Sequence, residues 1–363
     1  MARLSLPSAE RVPGGRAWVA LSRRVRTLAV AGVLFLVLFI LSLTMPVPYV
    51  ILSPGPTYNT LGSDEQGNLI IKIVGRTPNR TDGHLNLTTV SVTTQSVSAF
   101  QAFAGWLKHD EVVVPRASVY PPGRSQKQTD QENTQDFLTS QDSATQAALC
   151  ELKYPRGFGV VSVLADGPSK GKLRPGDKLE SVAGKAATTA TTLSTVLSAL
   201  KPGTTVPVAV SRQGKDVVTE VTVGTPPKKG KGARLGIEVA DTCLAPFSVD
   251  LGLGNEIGGP SAGLMFALGI MEKVGSTDLT KDRFIAGTGT IDGSGKVGPI
   301  GGIQLKMIAA KHKGATVFLA PSGNCSDVRK DTPSGLRVVK VDTLHGAVQD
   351  LLAIEQGRPV PHC

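Results

Sequence analysis

The chain has 363 residues, which is too long for one ordinary domain and predicts two or three folded units. Apolar residues make up 40% of it, and this share excludes wholesale disorder. The net charge of +10 would ordinarily suggest a nucleic-acid partner. However, residues 1–27 hold six arginines and a single acid, so half of that charge lies in a short N-terminal tail.

An uncharged apolar segment follows the tail. As a helix, residues 27–45 would span about 28 Å, which is enough to cross the hydrocarbon core of a bilayer. Arg23, Arg24 and Arg26 precede the segment and no Lys or Arg follows until Lys72, so the positive-inside rule places the N-terminus in the cytoplasm. The flank TMPVPY contains no A-x-A-like cleavage site. The sequence therefore favours an uncleaved anchor over a signal peptide or a buried core helix.

The next part of the chain is predicted to alternate between strands and polar segments. Residues 46–65 are Pro-rich and are expected to form an extended stem. LIIKIVG (69–75) and HLNLTTVSV (84–92) have the composition of strands. Residues 121–136 are polar and are expected to form an exposed loop, with a helix over residues 137–149.

Residues 153–227 show a separate pattern. A strand (157–164), a helix (192–200) and a hairpin (206–223) follow one another. This order, together with GKLRPGDKL (171–179), resembles a PDZ domain of the bacterial protease-associated kind. Such domains bind an extended peptide by adding it to a sheet as a strand.

The PDZ resemblance implies that Gly157, Phe158 and Gly159 contact the bound peptide and its terminal carboxylate. A small sandwich without a ligand is the alternative. The sequence PPKKGKGAR follows this module, and its Gly and Pro without aromatic residues indicate a solvated basic linker rather than a nucleic-acid surface.

The strongest chemical signal is the sequence GGPSAG (258–263), which opens an apolar helical pattern. Ser261 is expected in the first turn of that helix, where unpaired N–H groups would stabilise an oxyanion. Gly258, Gly259 and Pro260 would let a substrate backbone approach closely. A phosphate-binding turn or a plain N-cap has a similar pattern, but G-x-x-x-x-G-K-[ST] does not occur in the sequence.

A serine nucleophile needs a base, and Lys306 is the candidate. It lies in a predicted helix that ends at Gly314, and its neighbours one turn away are small or apolar: Gly302, Ile303, Ala309 and Ala310. Loss of hydration there would lower the pKa of the amine, so that it could accept a proton from Ser261. A lysine that extends its ammonium to solvent is the alternative.

Four motifs in one order resemble the proteolytic domain of Lon-type serine peptidases: GGPSAG, AGTGTI (286–291), GKVGPIGGIQLK (295–306) and KGATVFLAP (313–321). The resemblance implies that Ser261 is the nucleophile, that Lys306 is the base and that Thr288 orients the lysine. Two features depart from cytosolic Lon. The sequence shows no ATPase module, and Ile257 and Gly258 stand where many Lon enzymes have an acidic residue.

With its apolar N-terminal segment and PDZ-like module, the chain resembles the bacterial membrane-anchored, PDZ-containing Lon-like peptidases. The predicted fold class is α+β: a Lon-type domain, a β-rich PDZ-like domain and one transmembrane helix. HLNLTTVSV and SQDSATQAAL (140–149) resemble elements that precede the nucleophile in Lon domains, so the PDZ-like domain is predicted to be inserted into the Lon-like fold. The predicted segments are a cytoplasmic tail (1–26), a transmembrane helix (27–45), the stem (46–65), an N-terminal Lon-like part (66–152), the PDZ-like domain (153–227) and the catalytic part (228–363).

The resemblance implies an ATP-independent serine endopeptidase of the bacterial plasma membrane, with its folded domains outside the cytoplasm and flexible proteins as substrates. No cofactor and no metal are expected, because the histidines are scattered and C-x-x-C is absent. By analogy with Lon, a ring-shaped homo-oligomer is expected. The alternatives are a non-catalytic peptide-binding adaptor, a signal-peptidase-like enzyme and a Cys–His peptidase using Cys325 and His345. Four cysteines permit two disulfides, whose pairing the spacing leaves open.

Overall fold

A computed structural model of the protein describes residues 23–226, 232–253 and 257–363. Most of the predicted cytoplasmic tail and the lysines of the predicted basic linker (Lys228, Lys229 and Lys231) lie outside the described residues.

Within this part of the chain there are eight α-helices and two single 3₁₀ turns, at Arg116–Ser118 and Ser322–Asn324. The helices are α1 (Arg23–Thr44), α2 (Ala99–Leu107), α3 (Gln126–Glu151), α4 (Ala190–Ala199), α5 (Gly263–Val274), α6 (Ile303–His312), α7 (Cys325–Val328) and α8 (Leu344–Glu355).

The described residues also form eighteen strands, several of them only two residues long. They are β1 (Pro46–Val47), β2 (Tyr49–Asn59), β3 (Ile71–Val74), β4 (His84–Val92), β5 (Val97–Ser98), β6 (Val112–Pro115), β7 (Arg156–Val163), β8 (Lys178–Val182), β9 (Lys185–Ala186), β10 (Thr205–Arg212), β11 (Lys215–Thr222), β12 (Ile237–Cys243), β13 (Ser248–Leu251), β14 (Phe284–Gly287), β15 (Thr290–Ile291), β16 (Val297–Gly298), β17 (Val317–Pro321) and β18 (Arg337–Val341).

A mixed six-stranded sheet in the order β18-β17-β14-β4-β2-β6 forms the centre of the larger folded unit. The four strands from β18 to β4 are parallel to their neighbours, whereas β2 runs antiparallel to both β4 and β6. Helix α5 is buried along its whole length, and α3 packs against it through the edge-to-face pair of Phe137 and Phe266. Strands from both sides of the PDZ-like segment therefore build one sheet.

The second sheet has the order β11-β10-β8-β7-β12, with β9 paired to β8. It has its own apolar core, in which Leu179, Val208 and Val221 are fully buried. β12 pairs with the whole of β7, and Leu235, just before β12, belongs to the same core. This sheet therefore extends to residue 243, beyond the boundary at 227 expected from the sequence, because alternating apolar residues of β12 complete its core.

Two local expectations differ from the structure. The Pro-rich segment is extended, but most of it is β2, a strand of the central sheet rather than a free stem. Its prolines are tolerated because the pairing with β4 is irregular between Pro54 and Thr57. The polar segment expected to be a loop is instead the first half of α3, which Ser125 and Gln128 begin with a reciprocal capping box.

Helix α1 is long and apolar enough to cross a membrane, and none of its residues is buried. A signal sequence near an N-terminus has the same length and composition. The predicted apolar helix is therefore present, while its role as an anchor is a proposal.

The structure pairs all four cysteines. Cys150, near the end of α3, is bonded to Cys243 at the end of β12, and Cys325 is bonded to Cys363. The first bond closes a separation of 93 residues and joins the second sheet to the helix that packs on α5.

We predict that the double substitution Cys150→Ala with Cys243→Ala lowers the free energy of unfolding by about 2–5 kcal/mol, since the cross-link restricts the unfolded chain. Urea denaturation of the double variant and of the unchanged protein, both without a reducing agent, measures this difference. The matched control is Cys325→Ala with Cys363→Ala, which opens a loop of only 38 residues and should cost less. Equal stability of the first variant and the unchanged protein would contradict the prediction.

Candidate active site

Ser261 lies in a turn that leads into α5. The helix begins at Gly263 with Ala262 as its N-cap, so Ser261 precedes the first turn instead of lying in it as expected. The difference arises because the carbonyl of Ser261 accepts two hydrogen bonds from the neighbouring segment, from the N–H of Gly289 at 2.8 Å and from Thr288 Oγ1 at 3.0 Å. Ser261 is half-buried at the surface of a cleft.

Helix α3 holds the residues that precede the serine. Ser140 Oγ donates a hydrogen bond to the carbonyl of Pro260 at 2.9 Å, and the N–H of Gly259 donates to the carbonyl of Asn133 at 2.7 Å. A Cβ on Gly258 would lie 2.9 Å from the Cβ of Asn133, so only glycine permits this approach. The turn is thus fixed against a helix from the N-terminal half of the chain.

Lys306 lies near the start of α6, one turn after the N-cap Gly302. Gly302 has a φ of +68°, and a Cβ there would meet Val90 of β4. This close contact between α6 and the sheet directs the lysine side chain into the protein. Lys306 is only 4% exposed, and its Nζ lies 2.7 Å from Ser261 Oγ and 3.0 Å from Thr288 Oγ1.

Burial lowers the pKa of Lys306 to about 7. Among the residues that the structure describes, no carboxylate forms an ion pair with this amine, so nothing anionic there restores the charged form. Near neutral pH the amine is therefore uncharged in a large share of molecules. In that form it can accept the proton of the Ser261 hydroxyl, which is already at hydrogen-bonding distance.

Thr288 is fully buried and lies between the other two residues. Its hydroxyl donates to the carbonyl of Ser261 and accepts from Lys306, while its own N–H donates to the carbonyl of Leu319 in the central sheet. The threonine thus fixes the lysine and the serine turn relative to each other. The structure brings together the three residues that the sequence analysis selected for chemistry.

A cleft of about 600 Å³ opens beside Ser261. One side is the serine turn from Ile257 to Ala262, and the other is the second half of β4 with residues 88–92. β14 pairs with β4 only over residues 84–87, so beyond that point the edge of β4 that faces away from β2 has no strand partner among the described strands. This edge can receive an extended backbone.

Two of the three residues before Ser261 have no N–H group available for an oxyanion. The N–H of Gly259 is already donated to Asn133, and Pro260 has no N–H, so neither donates to an oxyanion in this structure. The N–H groups of Ser261 and Ala262 make no hydrogen bond with any described residue. They are the donors beside the nucleophile that remain available.

The residues expected to contact a peptide lie in a paired strand of the PDZ-like sheet. Gly157, Phe158 and Gly159 lie in β7, where β12 pairs with one side and β8 meets the other side at Gly159. A peptide strand therefore has no edge to join at that point. Among the described strands the free edge of this side of the sheet belongs to β12.

Sequence reasoning missed Asn133 and Ser140, which lie in the segment expected to be a loop and in the predicted helix after it. The only signal was the likeness of SQDSATQAAL to a helix of Lon domains, and that likeness singled out no side chain. The described residues contain no group of three or more His, Cys, Asp or Glu side chains that could hold a metal ion.

Residues 255–354 match the Lon protease (S16) C-terminal proteolytic domain, and residues 129–223 match a PDZ domain. The chain carries a Lon-type proteolytic domain and a PDZ domain. Ser261, Thr288 and Lys306 all lie within the Lon-type match. The predicted α+β fold class, with these two domains and one apolar N-terminal helix, is confirmed.

Curated relatives of the chain include Lon proteases that it resembles only in part. Lon protease 2 of Bacillus subtilis is 34% identical over 99 residues, which are 27% of this chain and 17% of that protein. Lon protease of Campylobacter concisus is 32% identical over 102 residues, 27% of this chain and 12% of that protein. The chain spans less than a fifth of the length of these relatives.

Solved structures that resemble the chain include PDZ domains of SdrC-like proteins. The domain from Listeria monocytogenes is 25% identical, covers 23% of this chain and 86% of that structure, and has a TM-score of 0.22. The domain from Listeria innocua is 24% identical, covers 23% of this chain and 92% of that structure, and has a TM-score of 0.21.

We predict that Ser140→Ala lowers kcat for peptide cleavage roughly two- to tenfold, because a buried hydrogen bond that fixes the serine turn contributes about 0.5–1.5 kcal/mol. The pH at which activity is half-maximal should not move, since Ser140 does not contact Lys306. Thr139→Ala is the matched control, because the Thr139 hydroxyl donates to Gln135 within the exposed side of α3. Equal kcat values for the two variants would contradict a positioning role of Ser140.

Proposed function

We propose that the protein is a membrane-anchored, ATP-independent serine endopeptidase whose chemistry depends on Ser261 and Lys306. The observation that carries the proposal is the 2.7 Å contact between a buried lysine amine of lowered pKa and a serine hydroxyl, within a Lon-type proteolytic domain. Ser–Lys pairs are a known variant of the catalytic triad and need neither His nor Asp.

In the proposed reaction, Ser261 Oγ attacks the carbonyl carbon of the scissile bond while Lys306 Nζ accepts the hydroxyl proton. The N–H groups of Ser261 and Ala262 are the donors nearest to the oxyanion that forms. Lys306 then gives its proton to the leaving amine, and the acyl-serine remains. Water, deprotonated by the same amine, hydrolyses the ester and restores both residues.

We infer that substrates bind in an extended conformation along the free edge of β4. That edge lies across the cleft from Ser261 and presents backbone groups over residues 88–92. Tails and loops of flexible or unfolded proteins fit this site, since their backbone is free to pair as a strand. The proposal requires no ATP, because such segments need no unfolding.

We propose that α1 anchors the protein in the bacterial plasma membrane, with the N-terminus in the cytoplasm and the folded domains outside. The charge-free run and the arginines before it support this orientation. Two disulfides agree with an oxidising compartment. A ring of several copies is a further proposal, by analogy with Lon alone.

We also propose that the PDZ domain is inserted into the Lon-type fold, because β2, β4 and β6 precede it while β14, β17 and β18 follow it in the same sheet. A substrate or regulator peptide would pair with the outer edge of β12. Binding there would take place on a strand that the disulfide Cys150–Cys243 ties to α3.

The decisive experiment incubates the full chain in detergent micelles with an unstructured, casein-like protein, with and without ATP. We expect cleavage in both conditions, and loss of cleavage in Ser261→Ala and in Lys306→Ala. Lys313→Ala is the control for loss of a lysine, because Lys313 is exposed at the end of α6. Cleavage by Ser261→Ala would refute the proposed nucleophile, and binding without cleavage by the unchanged protein would indicate a non-catalytic adaptor instead.

We further predict that kcat/KM rises with pH through about 7 and then levels off, since only the neutral amine of Lys306 acts as a base. Below this pKa the amine is protonated, and the rate should fall about tenfold for each pH unit. Initial rates on a quenched fluorescent peptide from pH 5 to about 9 measure the profile, and circular dichroism confirms folding at each pH. A flat profile, or a rate that still rises about tenfold per pH unit at the upper end of this range as for an ordinary lysine, would contradict the assignment.

A further inference from the structure

Helix α2 exposes an unusual apolar surface. Phe100, Phe103, Trp106 and Leu107 occupy one side of this helix, and we call these four residues the apolar face of α2. Phe103 is 58% exposed and Trp106 is 72% exposed. Soluble proteins rarely expose a contiguous apolar patch of this kind, and such patches mark sites of contact with proteins or membranes.

The helix packs on the protein with its small residues instead. Gly105 is its one buried residue, and a Cβ there would come within 2.9 Å of Glu111 and 3.2 Å of Val113. The usual arrangement, in which the large apolar side chains of a surface helix face the core, is therefore reversed. A capping box of Ser98 and Gln101 fixes the start of the helix, so the outward direction of the aromatic residues is built into the fold.

The apolar face of α2 lies beside the end of α1. β1 follows α1 directly and pairs with β5, which directly precedes α2. The N–H of Ala99 donates to the carbonyl of Met45, and the rings of Phe39 and Phe100 meet edge to face with centroids 5.9 Å apart. The two exposed apolar surfaces are therefore continuous.

The contact with Phe39 sets the depth of α2. Phe39 lies five residues before the last residue of α1, which is about 8 Å along a helix axis. A helix that lies in the membrane interface buries its apolar face about 5–10 Å into the boundary between headgroups and acyl chains. If α1 spans the bilayer and leaves it at its last residue, Phe100 lies about as deep as the apolar face of an interfacial helix.

We propose that α2 is an interfacial membrane helix that inserts its apolar face into the lipid leaflet at which α1 ends. The occupant is lipid, because the surface continues that of α1 and is rich in aromatic residues, which favour the membrane interface. The inference rests on the proposed anchoring by α1. With both α1 and α2 in the membrane, the folded domains contact the bilayer at two points, and these two contacts fix their orientation to it.

Tryptophan fluorescence of the full chain in phosphatidylcholine vesicles tests the proposal. The sequence has two tryptophans, so Trp18→Phe leaves Trp106 as the only one. Lipids brominated near the headgroup end of the acyl chain should quench Trp106 several-fold more than lipids brominated near the methyl end, and its emission should be shifted to the blue. Water-like emission without quenching by either lipid would overturn the proposal, as would blue-shifted emission without quenching, because the latter indicates burial by protein.

Two matched reporters in a Trp18→Phe, Trp106→Phe background complete the experiment. Phe35→Trp lies within α1 and should be quenched by bromolipid if α1 spans the bilayer. Val218→Trp replaces an exposed residue of the PDZ sheet and should not be quenched. Quenching at residue 35 without quenching at residue 106 overturns the interfacial helix alone, whereas no quenching at residue 35 overturns the anchor and the inference that rests on it.

Discussion

The burial of Lys306 without a described counter-ion is the constraint on which the site depends. An ammonium group held away from water is costly, and the neutral amine is favoured. The lysine also lies near the start of α6, where the positive end of the helix dipole disfavours the charged form in the same direction. Burial in turn requires the close contact between Gly302 and Val90, because a side chain at residue 302 would hold α6 away from β4. The chemistry of one amine thus depends on how tightly a helix packs on a sheet.

The same constraint explains the connections of α3. A base of lowered pKa is useful only if the hydroxyl stays within reach, and Ser261 lies in a turn without regular secondary structure. Helix α3 fixes that turn from one side through Asn133 and Ser140, while Thr288 fixes it from the other. α3 also carries Cys150, bonded to the PDZ sheet, and Asp142, whose pKa burial and the nearby Glu238 raise to about 7. The helix that holds the nucleophile is thus the one that connects the two domains.

The sequence pointed to Ser261, Thr288 and Lys306 because contiguous motifs carry them and those motifs resemble the Lon proteolytic domain. It did not identify the partners that hold them. Asn133 acts through its backbone carbonyl, which leaves no trace in residue type, and Ser140 comes from a segment more than a hundred residues away. The polar half of α3 resembled a loop because its outer face is solvated, although Ser125 and Gln128 carry a helix-start signal. The PDZ resemblance selected Gly157, Phe158 and Gly159 as contacts to a peptide, but their pairing with β12, across the whole PDZ module, could not be read from local alternation.

Helix α1 and a strand that lines the cleft belong to one continuous segment. Only residues 45–48 separate the end of α1 from β2, and β1 is already paired with β5 within that stretch. β2 then runs to Tyr58, which lines the cleft beside Ser261. The ten residues from Tyr49 to Tyr58 cover about 33 Å as an extended strand, so β2 sets the distance between the end of α1 and the cleft. A rigid strand rather than a flexible stem sets this reach. If α1 spans the bilayer as proposed, flexible segments that emerge close to the membrane surface are the substrates that this connection favours.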